Sequence, residues 1–151
     1  MPTRPSRAAR FAAVAAVLAA AHTAGDFLVQ TDRQASLKPC RADRDAECTE
    51  AQSWAALVGH VASYHAVQAT ALIIANHVLD LRLHPGRTAL GIGASALSHG
   101  VIDRRWPVRQ WMLRTGSGPY YHRGGAMHVD QAMHQAALAV SAAIITGGPC
   151  D

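Results

Sequence analysis

The chain has 151 residues, of which 50% are hydrophobic, 5% aromatic and 16% charged, and its formal net charge is +4. This length provides one core of ordinary size, and so apolar a chain is not intrinsically disordered. Alanine is the most frequent residue, with 31 copies, which favours helices over the valine-, isoleucine- and aromatic-rich strands of a β-sandwich or barrel. We therefore expect an all-α fold.

Four apolar stretches without Lys, Arg or Glu follow one another along the chain. About 20 residues at 1.5 Å each cross a hydrocarbon layer of about 30 Å, so we predict a single membrane domain with four transmembrane helices. The third stretch reaches this length only when residues before Thr88 are included. The predicted spans of this multi-pass cell-membrane protein are residues 11–30, 54–79, 86–103 and 126–146.

A soluble, alanine-rich four-helix bundle is the alternative to this membrane protein. Its helices should carry a charged face with a period of 3.6 residues, whereas residues 11–21 and 66–75 contain no charge. Several aromatic residues lie at or just beyond the ends of the apolar stretches, where interfacial aromatics sit. They are Trp54, Trp106, Trp111, Tyr120 and Tyr121. Residues 105–114 are expected to form a short amphipathic segment on the membrane surface.

The N-terminus and the loops leave processing and orientation open. Arginines followed by residues 11–21 also fit a secretory signal peptide, with Ala19 and Ala21 at the cleavage site. Lys and Arg in the first and third loops outnumber those elsewhere, which favours these loops in the cytoplasm, but the N-terminal arginines favour the opposite orientation. Cys40 and Cys48 would form a disulfide in an oxidising compartment and remain thiols in the cytoplasm.

Three His/Asp pairs with a spacing of four residues lie inside the apolar stretches. They are His22/Asp26, His99/Asp103 and Asp130/His134, and the second stretch adds His60. Residues four apart share one helix face, with Cβ atoms about 5–6 Å apart. If the four helices alternate in direction, all seven residues lie in the same half of the bilayer. The sequence therefore predicts one shared His/Asp site near one membrane face.

A divalent metal ion would satisfy such a site, because an Asp at the centre of a span costs about 2.5–3.5 kcal/mol and metals accept both imidazole and carboxylate. Zn is the first choice, with Mn or Fe as alternatives. The seven residues form the ligand pool. Asp26, Asp103 and Asp130 are candidate catalytic carboxylates, and Gln30 and Gln131 are candidate hydrogen-bond partners of the ligands.

Other polar residues receive simpler interpretations. Lys38, the only lysine, is expected either to bind an anionic lipid headgroup or to be an ordinary loop cation. Tyr64 and His65 are expected to pack or to face water. The expected partners are membrane lipid and anionic headgroups at the basic face. Nucleic acid is not expected, because the arginine cluster of residues 104–114 directly follows a span.

The whole set of motifs resembles an uncharacterised family of small multi-span membrane proteins of bacteria and their phages, the domain of unknown function 3307. The resemblance rests on His22-x3-Asp26-Phe27-x2-Gln30, Lys38, His60, His99-x3-Asp103 and Asp130-Gln131-x2-His134. It implies a membrane location but no particular chemistry. The stretch from Arg41 to Glu50 looks like an insertion relative to the family pattern. The arrangement is also distantly similar to membrane-bound metal-dependent hydrolases.

Two functional hypotheses follow. The first is a metal-dependent hydrolase, in which a metal-bound water attacks a substrate from the lipid phase and an Asp acts as general base. The second is a noncatalytic membrane component, such as a mobile-element accessory protein or a proton- or ion-handling module. In that case the His/Asp pairs would be structural polar contacts between helices.

Overall fold

The computed structural model describes residues 5–41, 45 and 48–147. Within these residues all regular structure is helical, which confirms the all-α expectation. The elements are α1 (Arg7–Ala24), a first π-helical turn (Gly25–Val29), α2 (Asp32–Leu37), α3 (Glu50–Val78), α4 (Pro85–Asp103), α5 (Trp106–Arg114), α6 (Gly118–Tyr120), a second π-helical turn (Tyr121–Gly125) and α7 (Ala126–Thr146).

Local sequence signals explain where the helices begin. The side chain of Ser6 accepts a hydrogen bond from the backbone N–H of Ala9 at the start of α1. Thr31 and Thr49 each form a capping box with the glutamine three residues later, and these boxes begin α2 and α3. Pro85 is the first residue of α4, a position whose backbone N–H would have no partner within the helix, so proline is tolerated there.

The four long helices form the bundle. α1 packs against α3 and α7, while α4 packs against α3 and most extensively against α7. The contact between α4 and α7 is close because Gly91 has no side chain, and a Cβ there would collide with Ile145. An apolar core fills one end of the bundle. It consists of Val14, Leu18, Leu72, Ala75, Leu81, Leu138, Ala142 and Ile145.

The other end of the bundle is polar inside. Among the described residues, seven ionisable ones are less than 10% exposed there: His22, Lys38, His60, His65, His99, Asp103 and His134. Large apolar side chains instead cover the outer surface, for example Leu28 at 83% exposure, Leu97 at 76% and Ile73 at 70%.

Two helical segments, Arg7–Val29 and Glu50–Val78, are long and apolar enough to cross a membrane. They correspond to the first two predicted spans. Among the described residues no other helix meets this criterion, so the third and fourth predicted spans are not confirmed. α4 and α7 are helices with nearly the predicted bounds, starting at Pro85 and Ala126. The predicted amphipathic segment forms α5, which buries Val108 and Met112 and exposes Trp106 and Trp111.

The loop between α1 and α3 is tied to the bundle. Cys40 and Cys48 form a disulfide, so of the two alternatives for these cysteines the structure has the bonded one. The hydroxyl of Ser53 on α3 donates a hydrogen bond of 2.8 Å to the carbonyl of Cys40. α2 packs against α3. The described part of this loop consequently lies over the polar end of the bundle.

Candidate metal centre

The long helices bring the predicted ligands together at the polar end. His22 comes from α1, Asp26 from the first π-helical turn, His60 from α3, and His99 and Asp103 from α4. α7 adds Asp130 and His134. The Asp130 side chain is the most exposed of the seven, at 23%, while the others are at most 9% exposed. The seven predicted ligands therefore lie at one level of the bundle, as expected for helices that alternate in direction.

Four donor atoms lie at the centre of this cluster. His60 Nε2 and His99 Nε2 are 3.0 Å apart. Asp26 Oδ1 lies 3.3 and 3.7 Å from these two nitrogens, and Asp103 Oδ2 lies 3.2 and 3.0 Å from them. Donors of a tetrahedral zinc ion with bonds of about 2.0–2.1 Å are about 3.3–3.4 Å apart. The separations of each carboxylate oxygen from the two imidazole nitrogens are therefore close to those between zinc ligands, and Asp26, His60 and His99 form a group that could hold a metal ion.

The hydrogen bonding of these atoms also favours a metal. Asp26 Oδ1 is buried and makes no well-formed hydrogen bond to any described residue, whereas Asp103 Oδ2 has the Lys38 ammonium 3.0 Å away. A buried carboxylate oxygen without such a partner is costly. Because Asp26 Oδ1 lies 3.3 and 3.7 Å from His60 Nε2 and His99 Nε2, a cation bound by these three atoms would satisfy this oxygen, and it would share Asp103 Oδ2 with Lys38.

The outer nitrogens of the two imidazoles are less well supported. Nδ1 of His60 and Nδ1 of His99 have no hydrogen-bond partner in the described part of the chain, although metal-binding histidines usually donate that N–H to a carbonyl or carboxylate. Ring packing orients His99 instead, because the Tyr64 ring lies over it with the centroids 3.9 Å apart.

Lys38 is part of this cluster and not a surface cation. Its side chain is 7% exposed, and its Nζ lies 3.0 Å from Asp103 Oδ2. The expectation that Lys38 binds a lipid headgroup or is an ordinary loop cation does not fit this placement, because the ammonium is buried against a carboxylate. Lys38 follows α2 directly, so the folding of the loop over the bundle carries it inward.

The charges of the cluster require compensation. Asp26, Asp103 and Asp130 contribute three negative charges and Lys38 contributes one positive charge, which leaves a net charge of about −2 with neutral histidines. Burying such an excess is unfavourable. One divalent cation, or protonation of two histidines, would neutralise it.

His22 is held by hydrogen bonds on both sides of its ring. Its Nδ1 lies 3.0 Å from the hydroxyl of Tyr64 and 3.4 Å from Asp26 Oδ2, and its Nε2 lies 3.1 Å from Gln131 Oε1. The Gln131 amide thus contacts a predicted ligand, as expected. His22 also belongs, with His99 and His134, to a second group whose ligand atoms are within 4.8 Å of one another.

Gln30 is placed differently from Gln131. It ends the first π-helical turn, and its Oε1 is buried without a hydrogen-bond partner among the described residues. No described hydrogen bond joins its side chain to a predicted ligand. Its expected role as a partner of the ligands is therefore not visible in the structure.

The first π-helical turn positions Asp26. Such a turn adds one residue to a helical turn and is frequent at functional sites. Gly25 makes the turn possible, since a Cβ there would lie 2.6 Å from Cδ2 of the buried Tyr64 ring. The backbone carrying Asp26 can therefore approach α3 closely.

Tyr64 and His65 are the residues that sequence reasoning undervalued. Tyr64 is fully buried, and its hydroxyl contacts His22 and accepts a hydrogen bond of 2.8 Å from Gln68 Nε2. His65 contacts the carbonyl of Val61 and the hydroxyl of Ser95. The available signal was the spacing of Tyr64 and Gln68, which lie one and two turns after His60 on the same face of α3.

This polar network ends inside the bundle. Its last described members are Gln68 on α3 and Ser95 on α4, which are joined by a hydrogen bond of 3.3 Å. The next layer is the apolar core, in which Val14, Leu18 and Leu72 are at most 1% exposed. Among the described residues, no chain of polar side chains continues through this core to the opposite end.

Comparisons of the chain with protein-family models, with curated proteins and with solved structures find no match. The resemblance to the domain of unknown function 3307 therefore stays a prediction from the motifs.

Proposed function

We propose that this chain is a four-span membrane protein that binds a divalent metal ion, zinc by preference, near one membrane face. The observation that carries the proposal is that Asp26 Oδ1 and Asp103 Oδ2 each lie 3.0–3.7 Å from His60 Nε2 and His99 Nε2, which are themselves 3.0 Å apart. Two imidazoles and two carboxylates are a ligand set that zinc accepts, and manganese and iron are the alternatives.

The distribution of polarity supports four spans. α4 has 19 residues and α7 has 21, which correspond to lengths of about 28 and 32 Å, close to the thickness of the hydrocarbon layer. Both helices expose apolar side chains, such as Leu97 and Val140, and bury histidines. The first helix belongs to the bundle as well, because cleavage after Ala21 would remove Val14 and Leu18 from the core.

Proton or ion translocation is less well supported than binding. A translocation path needs polar groups or water across the whole hydrocarbon layer. The described polar network stops at Gln68 and Ser95, and the apolar core closes the other half of the bundle. A site that is open towards one face and closed towards the other fits binding or chemistry at that face.

A catalytic role would place an additional demand on the site. Hydrolytic zinc ions keep one coordination position open for water or substrate, whereas four protein donors close a tetrahedral shell. The hydrolase hypothesis therefore requires either that Asp103 leaves the shell or that a second ion binds nearby.

Elemental analysis of the detergent-purified protein tests the proposal without any guess about substrate. We expect about one equivalent or more of Zn, Mn or Fe in the wild type and its loss in a His99→Ala/Asp103→Ala double variant. A matched control, His128→Ala/Asp80→Asn, removes an exposed imidazole and an exposed carboxylate and should retain the metal.

Two results would count against the proposal. Absence of metal from the wild type, even after reconstitution with each candidate ion, would leave structural polar contacts as the better explanation. Equal metal content in a folded double variant and the wild type would place the ion elsewhere. Size-exclusion elution and far-UV circular dichroism establish whether each variant is folded.

A further inference from the structure

His134 is buried without a satisfactory partner. The residue is 2% exposed, and its Nε2 makes no hydrogen bond to any described residue. The nearest acceptors are Asp103 Oδ1 and Asp130 Oδ2, each 3.7 Å away. That distance is too long for a hydrogen bond, but two donors on one cation with bonds of about 2.2 Å are separated by about this much.

Asp103 presents different oxygen atoms to its two neighbours. Its Oδ2 lies among His60, His99 and Lys38, while its Oδ1 is the atom nearest to His134. A carboxylate arranged in this way can bind one cation with each oxygen. In two-metal sites the ions are about 3.5–4 Å apart, a separation that a single bridging carboxylate provides.

Asp130 connects the site to a cavity. The cavity has a volume of about 420 Å³ and is lined by residues of α5, the second π-helical turn and α7, including Arg105, Tyr121 and Asp130. Asp130 is the only one of the seven predicted ligands on this lining. A cation bound to Asp130 would therefore have one side facing the cavity.

We propose that Asp130, His134 and Oδ1 of Asp103 hold a second divalent cation, with Asp103 bridging the two ions. This inference rests on the proposed function, because Asp103 Oδ2 belongs to the first site. The second ion has three protein donors and one open coordination position, which faces the cavity lined by Arg105 and Tyr121. This open position is what the hydrolase hypothesis requires.

The charges predict unequal affinities for the two ions. One divalent cation already neutralises the net charge of about −2 from three aspartates and Lys38. The second cation adds an excess of positive charge, so it binds more weakly than the first. Its open position consequently attracts an anionic oxygen ligand, and Arg105 on the cavity wall reinforces that preference.

Loading the detergent-purified full chain with Mn²⁺ tests the second site. Metal content gives the stoichiometry, and electron paramagnetic resonance detects magnetic coupling between neighbouring Mn²⁺ ions. We expect two ions per chain and a coupled signal in the wild type. Asp130→Asn should reduce the content to one ion and remove the coupling, and His134→Gln should do the same.

The controls separate this inference from the first proposal. Asp130→Asn is isosteric at a partly exposed position, so it should fold even if His134→Gln does not. His128→Gln changes an exposed histidine of α7 and should retain two ions.

Each other outcome would overturn a different statement. One ion in the wild type that Asp130→Asn leaves in place would overturn the second site and leave the first intact. Two ions without magnetic coupling would overturn the bridging role of Asp103. No bound ion in the wild type would overturn both proposals.

Discussion

Replacement of His60 by glutamine should abolish the stabilisation of this protein by zinc. His60 is fully buried on α3, and its Nε2 lies within 3.3 Å of three other candidate donors. Glutamine keeps most of the side-chain volume and some hydrogen-bonding capacity but replaces a good zinc ligand by a poor one. The His60→Gln protein should therefore fold and lose its response to zinc.

The magnitude follows from linkage between binding and folding. Zinc at a free concentration of about 100 times its dissociation constant stabilises the folded state by about 2.7 kcal/mol. For a chain of 151 residues, 1 kcal/mol corresponds to about 2–4 °C, so we expect the melting temperature to rise by about 5–11 °C. The assay is thermal unfolding in detergent, with and without zinc, after removal of metal by a chelator.

His65→Gln is the matched control for this experiment. His65 is also a buried histidine of α3, but its ring nitrogens contact the Val61 carbonyl and the Ser95 hydroxyl, and it belongs to neither His-containing candidate metal group. Its variant should keep the full zinc response. An equal response of His60→Gln and the wild type would refute the assignment of His60 as a ligand. A wild type insensitive to zinc, manganese and iron would refute the metal centre.

Three further substitutions test how the cluster is supported. Gly25→Ala should destabilise the protein by about 1–3 kcal/mol in chemical unfolding, because the new Cβ overlaps the Tyr64 ring; an unchanged stability would mean that the ring moves freely. Tyr64→Phe should cost about 1–3 kcal/mol, since it removes the hydroxyl that contacts His22 and accepts from Gln68 and leaves these buried groups without that partner, and a neutral result in the same assay would show that these contacts contribute nothing. Lys38→Gln should raise zinc affinity about tenfold or more in competition with a chelator, because the ammonium no longer competes for Asp103; a fall in affinity would show that Lys38 holds Asp103 in place for the ion.

The sequence predicts those members of the His/Asp cluster that repeat at the spacing of a helical turn. A spacing of four residues puts His99 and Asp103 on one face of α4, and alternating helix directions put the pairs at one level. The position of Lys38 follows from no such pattern. It lies in a loop, and only the packing of α2 on α3 and the contacts of that loop bring its ammonium to Asp103.

The π-helical turn at Gly25–Val29 also has no clear sequence signature. A regular α-helix would carry His22 and Asp26 on one face just as well, and the extra residue becomes apparent only from the close approach of Gly25 to Tyr64. The sequence of α4 likewise does not show how two of its small residues pack: Gly91 lies against Ile145, and the Ser95 hydroxyl contacts His65. The mean hydropathy of a helix averages over all of its residues and does not describe the face that packs against a neighbouring helix.

The Cys40–Cys48 disulfide bears on which compartment supplies the metal. Such bonds persist on the oxidising side of a membrane and are rare in the cytoplasm, so a chain bonded in the cell has this loop outside. The count of positive charges favours the opposite orientation, but it includes Lys38, whose charge is paired with Asp103, and Arg104, whose guanidinium donates to Ser53 Oγ and the Lys38 carbonyl. In the proposed four-span arrangement with the bonded loop outside, the proposed ion would come from the extracytoplasmic pool, and the apolar core would lie between that ion and the cytoplasm.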